Sequence, residues 1–235
     1  MTKKGGRNRF DDDIITPKRH TIDSWRIFRI MAECVDGFET MTSLGPSVAL
    51  FGSMNPLPKN SKYYDLAEEI AAKIAKKGFG LITGGGPGIM ERGNKGAQKA
   101  GGKSCGLCIK LPSEPAPNAF IDPHYELHFR YFFIRKVMFV RYAQAFVVLP
   151  GGFGTLDELF EALTLIQTEK ISPFPVYLVG KEYWQGMLDW LKNTVLFHEN
   201  IKPSDLDLIQ LSDDPDKIAA GIEKHYQKTK TLENF

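Results

Sequence analysis

No stretch of this 235-residue chain stays apolar for the ~18 residues a membrane-crossing helix needs, so no such helix is expected and no membrane partner with it. The basic start, MTKKGGRNRF, leads into no apolar segment, so a secretory signal is not expected and a cytoplasmic location is the default expectation. An excess of either charge sign is missing too, with 30 Lys and Arg against 28 Asp and Glu. The formal net charge of +2 gives no electrostatic ground for a nucleic-acid partner. Cysteine is limited to three, an odd number. Two of them form Cys105-Gly-Leu-Cys108, but KSCGLCIKL reads as a strand, and strand positions three apart point to opposite faces. With no second Cys or His pair nearby, they read as small buried residues rather than a metal or redox pair. The five histidines show no ligand spacing, and no metal site is expected. No G-K-S/T follows either GGGPG (84–88) or PGGFGT (150–155), so neither is a Walker A phosphate loop.

What is present is alternation. Residues 1 to about 20 lack periodicity and read as a tail. A helical pattern follows, with Trp25, Phe28, Met31, Cys34 and Val35 as its apolar stripe and Thr21 or Asp23 as a cap. Thereafter apolar strands near 47–53, 79–83, 104–111, 145–149 and 175–179 alternate with helices near 61–78, 89–101, 131–143 and 155–169, then a helix from EYWQGMLDWLKNTV. A short strand near Leu127, a late strand near 206–211 and a last helix near 214–228 complete the reading. Continuously apolar strands joined by helices imply a parallel sheet covered on both faces. The expected fold is α/β, a doubly wound, Rossmann-like, mostly parallel sheet with helices on both faces. Its expected extent is 46–229, with an N-terminal tail plus helix over 1–45 and a C-terminal tail over 230–235.

Two strands run into glycine loops that open helices: LIT-GGGPG (Gly84, Gly85, Gly86) and VVL-PGGFGT (Gly151, Gly152, Gly154, Thr155). Glycine lets backbone approach a ligand, and the helix N-terminus behind it attracts phosphate. Neither loop is the dinucleotide fingerprint, since Ile89 stands where its last glycine would be and residues 104–111 supply no ribose-binding acid. A mononucleotide or sugar phosphate is preferred over NAD. A structural explanation competes for the second loop: Thr155 as N-cap and Glu158 at N3 would form a capping box. The helix before it bears on the choice. Arg135 and Lys136 sit inside the apolar YFFIRKVMFV, and buried cations need an anionic partner. Asp157, Glu158 and Glu161 could supply it, and so could a ligand phosphate.

GGGPGIME, FFIRKVMF and above all PGGFGTLDE, in this order, resemble the Lonely Guy (LOG) family, with its P-G-G-x-G-T-x-x-E pattern, and in particular its longer bacterial branch. The resemblance covers roughly residues 45 to 225. It implies a nucleoside 5′-monophosphate phosphoribohydrolase, which cuts the N-glycosidic bond of AMP or a cytokinin riboside monophosphate to give free base and ribose 5-phosphate. It places the catalytic pair on Arg135 and Glu158, the neighbouring lysine on Lys136, the loop on Gly151 to Thr155, and a further threonine near the ligand on Thr164. With these, Ser53, the three glycines 84 to 86 and Met138 complete the candidate substrate-binding set. One departure stands out: Met54-Asn55 replaces the Ala-Arg that often follows Gly-Ser in this branch. Some relatives carry a lysine decarboxylase label, for which the sequence offers no pyridoxal-binding constellation. No cofactor is expected, and a homo-oligomer, dimer or higher, is.

The chemistry agrees with the residue types. Breaking a ribosyl bond develops oxocarbenium character, which a carboxylate stabilises while orienting hydroxyls or water. A cation neutralises the phosphate or the departing base. Asn94, Glu114 and Asn118 are weaker candidates for base or ribose contacts. A non-catalytic nucleotide or molybdenum-cofactor carrier on the same scaffold is the alternative, and a dinucleotide oxidoreductase a third.

Overall fold

The protein is described from a computed structural model covering residues 19–55, 61–111, 116–230 and 234, with side chains from residue 25 on. The expectations for residues 1–18 and for Glu114 lie outside these residues. Seven strands form one sheet: β1 (Ser47–Phe51), β2 (Gly80–Thr83), β3 (Ser104–Ile109), β4 (Glu126–Phe129), β5 (Ala143–Val148), β6 (Val176–Leu178) and β7 (Ile209–Leu211). Their spatial order is β4-β3-β2-β1-β5-β6-β7, and every pairing is parallel. The chain winds outward from β1 to β4, then returns to lay β5 against the other edge of β1. That neighbour pair is the switch point, where an open α/β sheet has its ligand crevice.

The helices are α1 (Arg19–Thr42), α2 (Lys62–Lys76), α3 (Ile89–Lys99), α4 (Phe132–Tyr142), α5 (Phe153–Gln167), α6 (Lys181–Trp190), α7 (Pro203–Leu206) and α8 (Pro215–Thr229). Strand alternation divides the core between them. Ala49, Phe51, Phe146 and Val148 point to the side covered by α1, α4, α5 and α6. Val48, Leu50, Ala145 and Val147 point to the side covered by α2, α3 and α8. Cys105 lies on the first side, and Cys108 beneath Gly85 on the other, as strand geometry requires.

Four local expectations are corrected. Gly152, not Thr155, is the N-cap of α5, and it makes no side-chain cap bond; Thr155 sits one turn inside, so the capping box does not form. Thr21 and Asp23 lie within α1 rather than at its start. The stripe on α1 splits: Cys34 packs inward with Ile30, while Trp25, Phe28, Met31 and Val35 point to solvent. The helix after β6 changes to a π-turn at Leu191–Val195. The misplaced stripe on α1 has a plain cause. A stripe wider than one face is indistinguishable in sequence from a single buried face, whereas here Ile30, Cys34, Gly37 and Met41 already fill the inner one.

Candidate active site

Three loops meet at the carboxyl ends of β1, β2 and β5, and hydrogen bonds stitch them together. Ser53 N donates to Pro150 O (2.9 Å), and Ile89 N donates to Ser53 O (3.1 Å), so the β1 loop caps the start of α3. This junction demands glycine. At Gly88, with φ of +74°, a Cβ would lie 2.6 Å from Ser53 O. Gly85, with φ of +75°, has Cys108 Sγ pressed against it. The loop carbonyls of Gly85 and Gly86 are held by Asn118 Nδ2 at 3.0 and 3.1 Å, and Asn118 Nδ2 also reaches Asn94 Oδ1 at 3.0 Å. Asn94 is fully buried, accepts from Thr83 Oγ1 at 2.6 Å and donates to Ser104 Oγ at 2.8 Å. Asn94 therefore braces the glycine loop from behind and does not reach a ligand.

These loops enclose a cavity of about 340 Å³, within the range of small-ligand sites. Of the candidate residues, Ser53, Gly84, Gly86, Arg135, Gly152, Gly154, Thr155 and Glu158 line it. Five do not. Gly85 faces a neighbouring recess over Cys108. Gly151 turns its carbonyl to the Tyr183 hydroxyl at 2.7 Å. Met138 is fully buried against Gly37. Lys136 and Thr164 open onto a separate depression on the outer side of α5. One residue apart on a helix means about 100° of rotation, which is why Arg135 enters the cavity and Lys136 leaves it.

Arg135 and Glu158 come from different helices and approach each other, Nη2 to Oε1, at 3.8 Å. The guanidinium stands 5.1 Å from the Phe132 ring centroid and 5.9 Å from that of Phe139, the residues three before and four after it. Such faces attract a cation and fix its plane. Glu158 is only 3 % exposed, and its Oε2 has no hydrogen-bond partner among the described residues. Burial pushes its carboxyl up to about 7, although Lys136 and Arg135 pull the other way. The site thus holds an acid poised near neutrality. Burial works against the charge of Lys136, but hydrogen bonds to Asp157 (2.8 Å) and Glu161 (2.7 Å) prevail and hold its proton more firmly than usual. The anionic partner expected for the cations of α4 is therefore Asp157 and Glu161 for Lys136, and Glu158 together with the cavity for Arg135.

Sequence reasoning missed the apolar wall: Met90, Ile109, Leu111, Phe132 and Phe139. A signal existed for two of these, since Phe132 and Phe139 flank Arg135 at helical spacing. None existed for Ile109 and Leu111, whose place depends on the strand's register. Phe153, at the first turn of α5, is 91 % exposed at the cavity mouth. Among the described residues no group of three or more His, Cys, Asp or Glu could hold a metal ion.

Fold and site together define a doubly wound α/β protein with a ligand cavity at its switch point. A family model described as "possible lysine decarboxylase" matches residues 90–222, more than half of the chain. The chain belongs to this family, the LOG family. A cytokinin riboside 5′-monophosphate phosphoribohydrolase of Rhodococcoides fascians is 30% identical over 152 residues, covering 64% of this chain and 76% of that protein. A probable enzyme of the same name from Oryza sativa subsp. japonica is 28% identical over 177 residues, covering 71% of this chain but only 66% of the rice protein. Among solved structures, the molybdenum cofactor carrier protein of Chlamydomonas reinhardtii shares the fold, with a TM-score of 0.54 at 21% identity over 78% of this chain and 99% of that one.

Proposed function

We propose that this protein hydrolyses the N-glycosidic bond of a nucleoside 5′-monophosphate, AMP or a cytokinin riboside monophosphate, to free base and ribose 5-phosphate. The observation that carries this reading is the convergence of Glu158 and Arg135 on one cavity, with the carboxyl titrating near neutrality. The names of the relatives supply the reaction class.

In this reading the 5′-phosphate lies over Gly152, Gly154 and Thr155; the Thr155 amide already donates to Gly152 O at 3.0 Å, so the Phe153 and Gly154 amides at the start of α5, together with the helix dipole, favour the anion. Ribose lies beside Glu158. As the C1′–N bond breaks, positive charge grows on the sugar, and the ionised carboxylate stabilises it and takes a proton from the attacking water. The water oxygen bonds to C1′ as the C1′–N bond breaks, the departing base takes up a proton from solvent, and Glu158 returns the proton it took from water to solvent, which restores the site. Arg135 offsets negative charge on the phosphate or the base, its plane fixed by Phe132 and Phe139. The apolar wall holds the base. Met54 and Asn55 line the cavity where relatives of this branch often carry Ala-Arg, so the phosphate relies more on backbone amides here.

The family description invites a decarboxylation reading, but among the described residues no lysine lines the cavity to form a pyridoxal Schiff base, and Lys136 is engaged elsewhere. A carrier would need no acid of this kind beside a guanidinium. The test is to incubate the purified protein with AMP, GMP, CMP and isopentenyladenosine monophosphate and to follow free base by chromatography. Base release from at least one of them is expected. Tight binding of a nucleotide with no release from any would replace the enzyme by the carrier.

A further inference from the structure

The glycine loop that opens α5 is held from outside the cavity by a side chain that the proposed chemistry does not use. Pro150 O accepts from Ser53 N at 2.9 Å, and the next carbonyl, Gly151 O, accepts from the Tyr183 hydroxyl at 2.7 Å. A trans peptide points its carbonyl and its N–H in opposite directions, and every peptide among the described residues is trans. With Gly151 O turned out to α6, the Gly152 N–H is aimed the other way, and Gly152 is a residue that lines the cavity. That N–H has no acceptor among the described residues. It stands next to the Phe153 and Gly154 amides, and successive free amides of this kind make an anion-binding concavity.

The Gly151–Gly152 peptide needs such a hold. Glycine on both sides leaves its plane freer to rotate than any other pair of residues would. A larger residue cannot stiffen it at 151, because a Cβ there would run into the Thr155 side chain. Tyr183 is anchored well enough to supply the constraint. α6 starts after Gly180, at φ of +104°, and Asp213 Oδ1 accepts from Gly180 N at 2.6 Å and Lys181 N at 3.2 Å. Trp184 is buried and donates Nε1 to Val179 O at 3.0 Å, and the Tyr183 ring packs edge-on against it at 4.8 Å.

We propose that Tyr183 is a positioning residue for the phosphate: its hydroxyl fixes the Gly151–Gly152 peptide so that the Gly152 amide donates to the 5′-phosphate of the substrate. This rests on the proposed seating of a nucleoside monophosphate in the cavity, not on its hydrolysis.

The test is calorimetric titration with AMP and with adenosine, which differ only in the phosphate, in the Glu158→Gln background so that AMP is not consumed. Adding Tyr183→Phe keeps the ring on Trp184 and removes the hydroxyl. It is expected to weaken AMP binding about tenfold, the scale of one hydrogen bond to a charged group, and to leave adenosine within about twofold. General loosening of the fold would fall on both ligands alike, so adenosine binding by the same preparation checks that the cavity is intact. Equal weakening of both ligands, no weakening of either, or a parent protein that binds AMP no more tightly than adenosine overturns the proposal. Base release is followed separately on the native chain. A protein that shows the phosphate-dependent loss but releases no base keeps this role for Tyr183 and loses the hydrolase reading.

Discussion

Glu158 is the residue on which the proposed chemistry and the stability of the fold meet. Its carboxyl is held near 7 against an ordinary 4.5, and burial is the main cause. An acid whose folded value is raised favours the native state most below its unfolded value, and that contribution is lost as pH rises through 7. Glu158→Gln stays neutral throughout. Denaturant melts should therefore show it more stable than the native protein at pH 8, by up to about 3 kcal/mol, with the gap closing below pH 5. Activity should move the opposite way. If the ionised carboxylate is the working form, kcat/KM climbs about tenfold per pH unit below 7 and levels above it, the substrate phosphate adding its own step near 6. Arg135→Ala should lower kcat/KM by about 10²–10³, the scale of a lost charge-stabilising donor. Arg135→Lys should not restore it, since a point charge does not stack between Phe132 and Phe139.

At the scale of elements, the site is three loops braced by polar side chains. Asn118 holds the carbonyls of the Gly84–Gly86 loop, and Asn94 holds Asn118 from a fully buried position. Asn118→Ala should loosen that loop and raise KM more than it lowers kcat, seen in steady-state kinetics with AMP. Asn94→Ala removes a partner from Thr83, Ser104 and Asn118 at once and should cost about 1–3 kcal/mol in a chemical melt. The glycine loops themselves were legible, because PGGFGT and GGGPG each follow an apolar strand. The role of Thr155 was not. Thr-x-x-Glu reads equally as a cap or as a cavity wall, and only the placement of Gly152 at the helix start decides it. Thr155→Val should accordingly leave the melt nearly unchanged while weakening nucleotide binding by calorimetry.

For the whole molecule, the strand order places β5 beside β1 and so creates the crevice in which residues from distant parts of the chain meet. Apolar strands in alternation with helices made the sheet and its parallel sense readable. Which face of α1 is buried was not, because that depends on what packs against it, and periodicity alone does not report a neighbour. Nor could sequence tell that Arg135 enters the cavity while Lys136 is tied to Asp157 and Glu161 on the outer side of α5. The central claim is that Glu158 acts on a nucleotide seated in this crevice. Its most direct test is single-turnover base release by Glu158→Gln, with nucleotide binding to the same preparation measured by calorimetry. The account predicts a variant that binds AMP about as tightly as the native protein yet releases base at least 10³-fold more slowly, the upper range for a lost acid–base group. Release within tenfold of the native rate would contradict it.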